Sequence, residues 1–416
     1  MKKNYFKQQS LLLFAALLIM VAMNSSCKSK AADNNSSATM ANDLSIPPLF
    51  ERKGELAKAE EWQNTKTKVE QLNQKIAKQS NDLKSRLQIA VIYMSEARIT
   101  GEHPYYYPAI TKILDGVLAM DSKNFEALVY KASVKMSQHQ FTEAKMLAEK
   151  AKNINPDNAY IYGVLVDANV ELGNYEEAVK VSDKMQALKP SLESYSRASY
   201  LREIYGDYPG AIEAMKMAVQ AGLPGSEPYC WSKKTLAHLY EKTGKWNEAE
   251  KEYQDILAMR PSYAFALEGL AKVEKARKNY PKALDLLKQA SDIMPEFSFH
   301  EEMADIYELQ GESKKAKDKY LEVINMLGED EKSGHTVSLE LCRIYSKAGM
   351  YDEAIEQGTK EYKQRPLNID VNQALAWASF KKNETEKARN YIKVALKTGS
   401  KDPELLQKAT AIEQAG

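Results

Sequence analysis

Residues 236–261 read LAHLYEKTGKWNEAEKEYQDILAMRP. The inner stretch TGKWNEAE (243–250) brings a glycine, a tryptophan and two glutamates together, as either a small active site or a joint between two helices would. The rest of the chain decides. QFTEAKMLAEKAKNINP (140–156), NYEEAVKVSDKMQALKP (174–190), KWNEAEKEYQDILAMRP (245–261), NYPKALDLLKQASDIMP (279–295) and MYDEAIEQGTKEYKQRP (350–366) share one frame. In each, an aromatic stands three residues before an alanine and a proline twelve after it. The frame's alanines are Ala144, Ala178, Ala211, Ala249, Ala283, Ala316, Ala354 and Ala388, spaced 34, 33, 38, 34, 33, 38 and 34 residues apart. Three units make a block of 105 residues, and Pro156, Pro261 and Pro366 keep the same period. The longer steps fall near AGLPGSEP (221–228) and LGEDEKSG (327–334), where longer loops are expected.

This frame resembles the tetratricopeptide repeat, a helix-turn-helix unit of about 34 residues. Each residue type has a packing reason. The alanine opening the second helix lets two helices approach closely where they cross, and the preceding aromatic covers the turn. Glycine, as at Gly244, ends the first helix in a left-handed cap, and proline stops the second. A single hairpin cannot bury its apolar face, so stacking neighbours supplies the core. TGKWNEAE is therefore a joint, with Glu248 and Glu250 expected to face water near the start of the next helix. The expected fold is all-α: a right-handed α-solenoid of about nine helix-turn-helix repeats over residues 83–402, led in by helix over 51–82 and closed by a capping helix over 403–416. The first unit is irregular, because TGEHPYYYPA (100–109) reads as an inserted aromatic loop. YSRASYLREIYGDYPGAIEAMKMAVQAGLPGSEPYCW (195–231), RPSYAFALEGLAKV (260–273) and ALAWASF (374–380) also resemble a widespread bacterial family of tetratricopeptide proteins. That likeness implies architecture alone.

Composition agrees with helix throughout, with only 18 glycines and 14 prolines in 416 residues. Fifty-eight basic and 57 acidic residues give a net charge of +1, which offers no general attraction to nucleic acid. The N-terminus is a different kind of segment. Lys2, Lys3 and Lys7 precede a wholly apolar stretch from Leu11 to Met23, and small residues lead to Cys27. A basic region, an apolar run too short to span a bilayer and small residues before a boundary describe a secretory signal over 1–26. Ser25, Ser26 and Cys27 resemble a bacterial lipobox, although Asn24 departs from the usual residue there. The resemblance implies cleavage before Cys27 and its diacylation, and Lys28 favours sorting to the outer membrane. Residues 27–50 read as the lipidated cysteine and a flexible tether. The tether lacks an acidic run, so the periplasmic face is expected. Cys230 and Cys342 stand alone in distant segments and make no disulfide framework.

Catalytic and metal chemistry find no support in the sequence. None of the five histidines pairs with another His or Cys at ligand spacing, and HEEMA (300–304) has Ala304 where a zinc-protease motif needs its second histidine. No phosphate-cradling glycine loop occurs, and no cofactor is implied. Binding is better supported, because the first helices of such repeats line a concave groove. Projecting the repeat's groove positions gives Tyr160, Asp167, Tyr200, Glu203, Trp231, Lys234, His238 and Phe265. Further along they give Lys272, Lys275, Glu301, Asp305, Glu308, Arg343, Ser346, Trp377 and Phe380. An aromatic line is followed by a basic patch (Lys234, Lys272, Lys275) and an acidic one (Glu301, Asp305, Glu308). Such a face suits an extended peptide or a partner helix. Each aromatic has a second reading, as packing between neighbouring helices. The expected protein is a membrane-anchored scaffold that binds envelope proteins or peptides. The alternative is a protein that captures a glycan or small molecule on the stripe Tyr160, Tyr200, Trp231 and Phe265. Acidic groups interrupting the basic ones argue against nucleic acid.

Overall fold

A computed structural model describes residues 44–415; the signal, Cys27 and the first part of the tether lie outside them. The described residues form twenty α-helices and no strand. After a short 3-10 turn (Gly54–Lys58) and α1 (Glu60–Lys78), nine helix pairs follow. The first three are α2 (Leu83–Thr100) with α3 (His103–Met120), α4 (Phe125–Ser137) with α5 (Phe141–Ile154), and α6 (Ala159–Glu171) with α7 (Tyr175–Leu188). The middle three are α8 (Leu192–Ile204) with α9 (Tyr208–Ala221), α10 (Glu227–Lys242) with α11 (Trp246–Met259), and α12 (Ala264–Ala276) with α13 (Tyr280–Ile293). The last three are α14 (Phe297–Leu309) with α15 (Ser313–Lys332), α16 (Ser338–Lys347) with α17 (Tyr351–Gln364), and α18 (Ile369–Lys381) with α19 (Thr385–Ala395). Helix α20 (Pro403–Gln414) packs on α18 and α19 and caps the array. Nine pairs match the expected repeat count.

All eight repeat alanines are fully buried, which is what close crossing of the paired helices requires. Apolar burial is distributed as a string of local clusters, each shared by adjacent pairs, rather than one central core. At every joint from α4–α5 to α18–α19, the residue five before the repeat alanine takes positive φ. Glycine fills most of these positions, but His139, Lys278 and Asn383 adopt the same left-handed turn at φ 58, 62 and 65. Packing of the pair therefore imposes the turn even where no glycine relieves its steric cost.

The array closes on itself. Thr336 N donates to Gln138 O at 3.0 Å, and Gln140 Nε2 to Gly334 O at 2.8 Å. One repeat on, Asn368 Nδ2 donates to Glu171 O and Ile369 N to the Tyr175 hydroxyl, both at 2.9 Å. One repeat further, Gly206 meets the Gly399 carbonyl, and Lys242 pairs with Asp402 at 3.0 Å. The joints of α4–α5, α6–α7 and α8–α9 thus meet the connections α15–α16, α17–α18 and α19–α20, always eleven helices on. One superhelical turn rests on the next along a polar seam. Arg365 is central to it, pairing with Glu361 (Nε to Oε1 2.5 Å) and Glu171 while its guanidinium lies 4.6 Å from the Phe141 ring centroid.

Several expectations change. The tether does not run to residue 50. From Leu44 the chain lies against the first pair: Arg86 Nη1 donates to Leu44 O (2.7 Å), and the Tyr93 hydroxyl to Pro47 O (2.6 Å). The Tyr105 and Tyr106 hydroxyls hold the carbonyls of Pro48 and Phe50, and buried Arg52 pairs with Glu96. Prolines have no N–H to pair, so their carbonyls are what the tyrosines can hold. TGEHPYYYPA is accordingly not a loop: α3 begins at His103, with Pro104 in the tolerant first turn, and its tyrosines clasp the incoming segment. The extension at LGEDEKSG is helix rather than loop, because Ala316, Tyr320, Val323 and Leu327 continue a buried stripe and nothing breaks α15 before Ser333. Both extensions touch the opposing turn, through Gly334 as above and through Glu227, 3.7 Å from Arg98. Finally, Glu248 is exposed as expected, whereas Glu250 pairs with Arg277 of the following repeat at 2.6 Å.

Candidate functional site

The first helix of each pair faces the inside of the superhelix, and the seam turns that concave side into a lumen. Side chains from α8, α10, α14, α16, α18 and α20, with Tyr208 at the start of α9 and Ser400 and Asp402 before α20, line one cavity of about 650 Å³ at its C-terminal end. Tyr200 on α8 and Asp370 on α18 line this cavity together. Burial raises the Tyr200 hydroxyl pKa well above 10.0, with further contributions from the carboxylates of Glu171, Asp370 and Glu203.

The aromatic line divides in two. Tyr160, Tyr200 and Trp231 remain 45, 38 and 45% exposed on α6, α8 and α10, three successive first helices. Tyr160 also sits edge-on to Tyr130, with its hydroxyl 3.2 Å from Ser133 Oγ. Phe265 is engaged within the wall, edge-on to Phe299 and Tyr263, with Lys234 Nζ 5.8 Å from its ring centroid. Trp377 stacks at a tilt on Phe380 and has Lys381 and Lys408 at 5.5 and 5.6 Å from its ring. Its face is already occupied by cations.

The charged patches do not stand apart as the sequence suggests. Lys272 contacts Glu268 at 2.9 Å and Glu302 at 3.8 Å, and Lys275 also pairs with Glu302. Glu301 and Asp305 converge on Lys347 at 2.7 and 2.8 Å, while Glu308 is exposed at the end of α14. Arg343 pairs with Asp370 at 3.2 Å, and His238 Nδ1 lies 3.1 Å from Glu241. Asp167 receives two hydrogen bonds from Arg197, at 3.0 and 2.6 Å. Ser346, buried in the cavity wall, donates its hydroxyl to Cys342 O. Lys242 lies between Glu203 and Asp402 at 2.7 and 3.0 Å; burial opposes its charge, and the two carboxylates outweigh that and hold its pKa above the usual lysine value. By contrast, burial lowers the Lys234 pKa, with Lys272 adding to the effect.

Several partners escaped the projection, among them Arg197, Lys242, Glu302 and Lys347. Glu302 and Lys347 stand one residue beyond the projected Glu301 and Ser346, Arg197 and Lys242 hold the same registers in other repeats, and each is long enough to reach its partner. The signal was present in their register, since Lys242 and Lys347 both stand seven residues before a repeat alanine and Arg197 and Glu302 both fourteen.

Residues 230–296 match the family model described as tetratricopeptide repeat. The TPR repeat-containing protein YpiA of Bacillus subtilis is 28% identical over 151 residues, covering 36% of this chain and 34% of its own length. The mitochondrial import receptor subunit TOM70 of Homo sapiens is 24% identical over 241 residues, covering 54% of this chain and 39% of its own. The chain thus spans little more than a third of the length of these curated relatives. Among solved structures, the human IFIT1 dimer with m7Gppp-AAAA superposes with a TM-score of 0.50 at 16% identity, over 82% of this chain and 78% of that one. At that identity the likeness concerns fold alone. Together with the helix pairs, their buried alanines and their left-handed joints, these similarities show that the chain is a tetratricopeptide-type α-solenoid.

Proposed function

We propose that this protein is an adaptor of the bacterial cell envelope, held at the membrane through lipidated Cys27 and recruiting a protein or peptide partner through its concave face. The observation that carries the reading is the run of half-exposed aromatics Tyr160, Tyr200 and Trp231 on three successive first helices. Aromatic side chains left half-exposed on a concave wall are the kind of anchor around which protein interfaces form, and the paired charges beside them orient a partner. The similarity to a protein named as an import receptor subunit is consistent with recruitment. Outer-membrane sorting, with the solenoid on the periplasmic side, follows from Lys28 after the lipidated cysteine and the polar residues beyond it.

Crosslinking in intact cells, followed by purification of the tagged full chain, tests the proposal. A partner that crosslinks to the wild type and to an outer-face variant, Glu248→Ala, but not to the Tyr200→Ala/Trp231→Ala double variant supports the concave-face reading. Equal crosslinking by all three overturns it. Metabolic palmitate labelling that disappears in Cys27→Ser is the expected result for the anchor, and label retained in that variant rules it out.

A further inference from the structure

The cavity at the closing end of the lumen shares only Tyr200 with the aromatic run, and its wall has an unusual chemistry. Every cation in it is already claimed. Lys242 is shared by Glu203 and Asp402, Lys347 by Glu301 and Asp305, Arg343 is held by Asp370, and Lys408 by Glu404. A charged ligand would have to break one of these pairs in a confined space where replacement solvation is poor. What the wall still offers is neutral hydrogen-bonding capacity. Each carboxylate oriented by its cation keeps lone pairs in reserve, and Lys242 has a third N–H beyond the two directed at Glu203 and Asp402. The amides of Gln373 and Gln407 line the same space.

One group in the wall is left unsatisfied. Tyr208, a residue 8% exposed, lines the cavity beside Lys242 and Asp402, and its hydroxyl, enclosed within the wall, has no hydrogen-bond partner. A buried hydroxyl without a partner costs stability, so an arrangement that keeps one in a cavity wall is matched to a group from outside. The Tyr200 ring is the open aromatic face in the wall, because the Trp377 ring is flanked by Lys381 and Lys408; Ile369 and Ala411 add small aliphatic patches. Planar acceptors, amides, one unsatisfied hydroxyl and a single accessible aromatic face complement a molecule with many hydroxyls and one apolar ring face. The volume, about 650 Å³, lies within the range of small-molecule sites.

We infer that this cavity binds a neutral, hydroxyl-rich ligand of the oligosaccharide class. The ring face of one sugar lies on Tyr200, and its hydroxyls bond to Tyr208, Gln373 and the carboxylates of Glu203 and Asp402. The inference does not rest on the adaptor reading, since the two use different parts of the lumen apart from Tyr200.

Isothermal titration of the full chain with maltotriose, cellotriose, laminaritriose and triacetylchitotriose, each to about 10 mM, tests it. At least one sugar binds saturably, while spermidine and trigalacturonate, the cationic and anionic controls, do not. Tyr208→Phe and Gln373→Leu each weaken that binding about tenfold, Tyr200→Phe preserves it, and Tyr200→Ala removes it. Tyr208→Phe separates a ligand role from a structural one, because deleting an unsatisfied hydroxyl should hold or raise the melting temperature of the free protein while affinity falls. Absence of heat with all four sugars overturns the inference, as does sugar binding that is indifferent to both Tyr208→Phe and Gln373→Leu. Binding of a charged control in place of the sugars overturns it too. Partner crosslinking that survives Tyr208→Phe while sugar binding falls shows the two sites failing independently.

Discussion

Gly173 and Gly244 hold the same place in two repeats, with φ 79° and 73°. Around Gly244 there is open space, whereas a Cβ added to Gly173 would lie 2.5 Å from the Leu367 carbonyl carbon of the next superhelical turn. The same sequence signal thus serves two purposes. At Gly244 it only lets the chain turn, and at Gly173 it also admits a neighbouring backbone. The difference shows that the repeat frame specifies joints, while the seam depends on which joints happen to meet another part of the chain.

Substitutions separate the two roles. The largest effect is expected at the seam's buried cation. Arg365→Ala leaves Glu361 uncompensated in a buried position and should cost about 3–5 kcal/mol in chemical denaturation, with an increase in radius of gyration by small-angle scattering. A loss below about 1 kcal/mol would mean that the seam contributes little, and the comparison would collapse. Gly173→Ala combines left-handed strain of about 1 kcal/mol with overpacking of about 2 kcal/mol against Leu367, and should also loosen the seam.

A pH measurement probes the connection before α14. Burial pushes the Glu296 carboxyl up to about 7, with Glu268 and Asp330 adding to the shift, against about 4.3 for a free glutamate. The folded state therefore binds the proton more tightly than the unfolded state does. Its contribution to stability is greatest below the free value and is lost as pH rises through about 7. Glu296→Gln should flatten the stability profile between those limits; an unchanged slope would place the titration elsewhere.

The smallest effects belong to open joints. Gly244→Ala should cost about 1 kcal/mol with no change in radius of gyration, because strain is its sole penalty. Lys278→Gly should gain about 0.5 kcal/mol by relieving a left-handed lysine, after subtracting the added freedom of the unfolded chain. If Gly244→Ala proved as damaging as Gly173→Ala, the distinction between joint and seam would fail.

The helix pairs were legible because their cause is local and recurs: an alanine at each crossing, an aromatic over the turn and a proline at the end. Even so, local reading misjudged LGEDEKSG, where a buried stripe carried α15 past residues that look like a loop. The groove aromatics could be placed on the correct helices by register. Whether each stayed open could not, since the fate of Phe265 depended on Phe299 one repeat away and that of Trp377 on Lys408 in the capping helix. The charged patches failed for a related reason. Lys347 and Glu302 sit one position off the projected face, and only long side chains reaching to the first helix of the neighbouring repeat bring them to their partners.

By itself, then, the sequence determined a repeat of paired helices, its period of 105 residues per three units and the identity of its joints, because all of these depend on residues within one hairpin or its neighbour. The tertiary structure decided that the array returns on itself after eleven helices, that Gly173 must stay a glycine for a second reason, and that a cavity with an unsatisfied Tyr208 hydroxyl forms where the turn closes. Those outcomes come from small rotations at each repeat accumulating along the solenoid. Residues some 194–199 positions apart meet only after that accumulation, and no local pattern records where it ends.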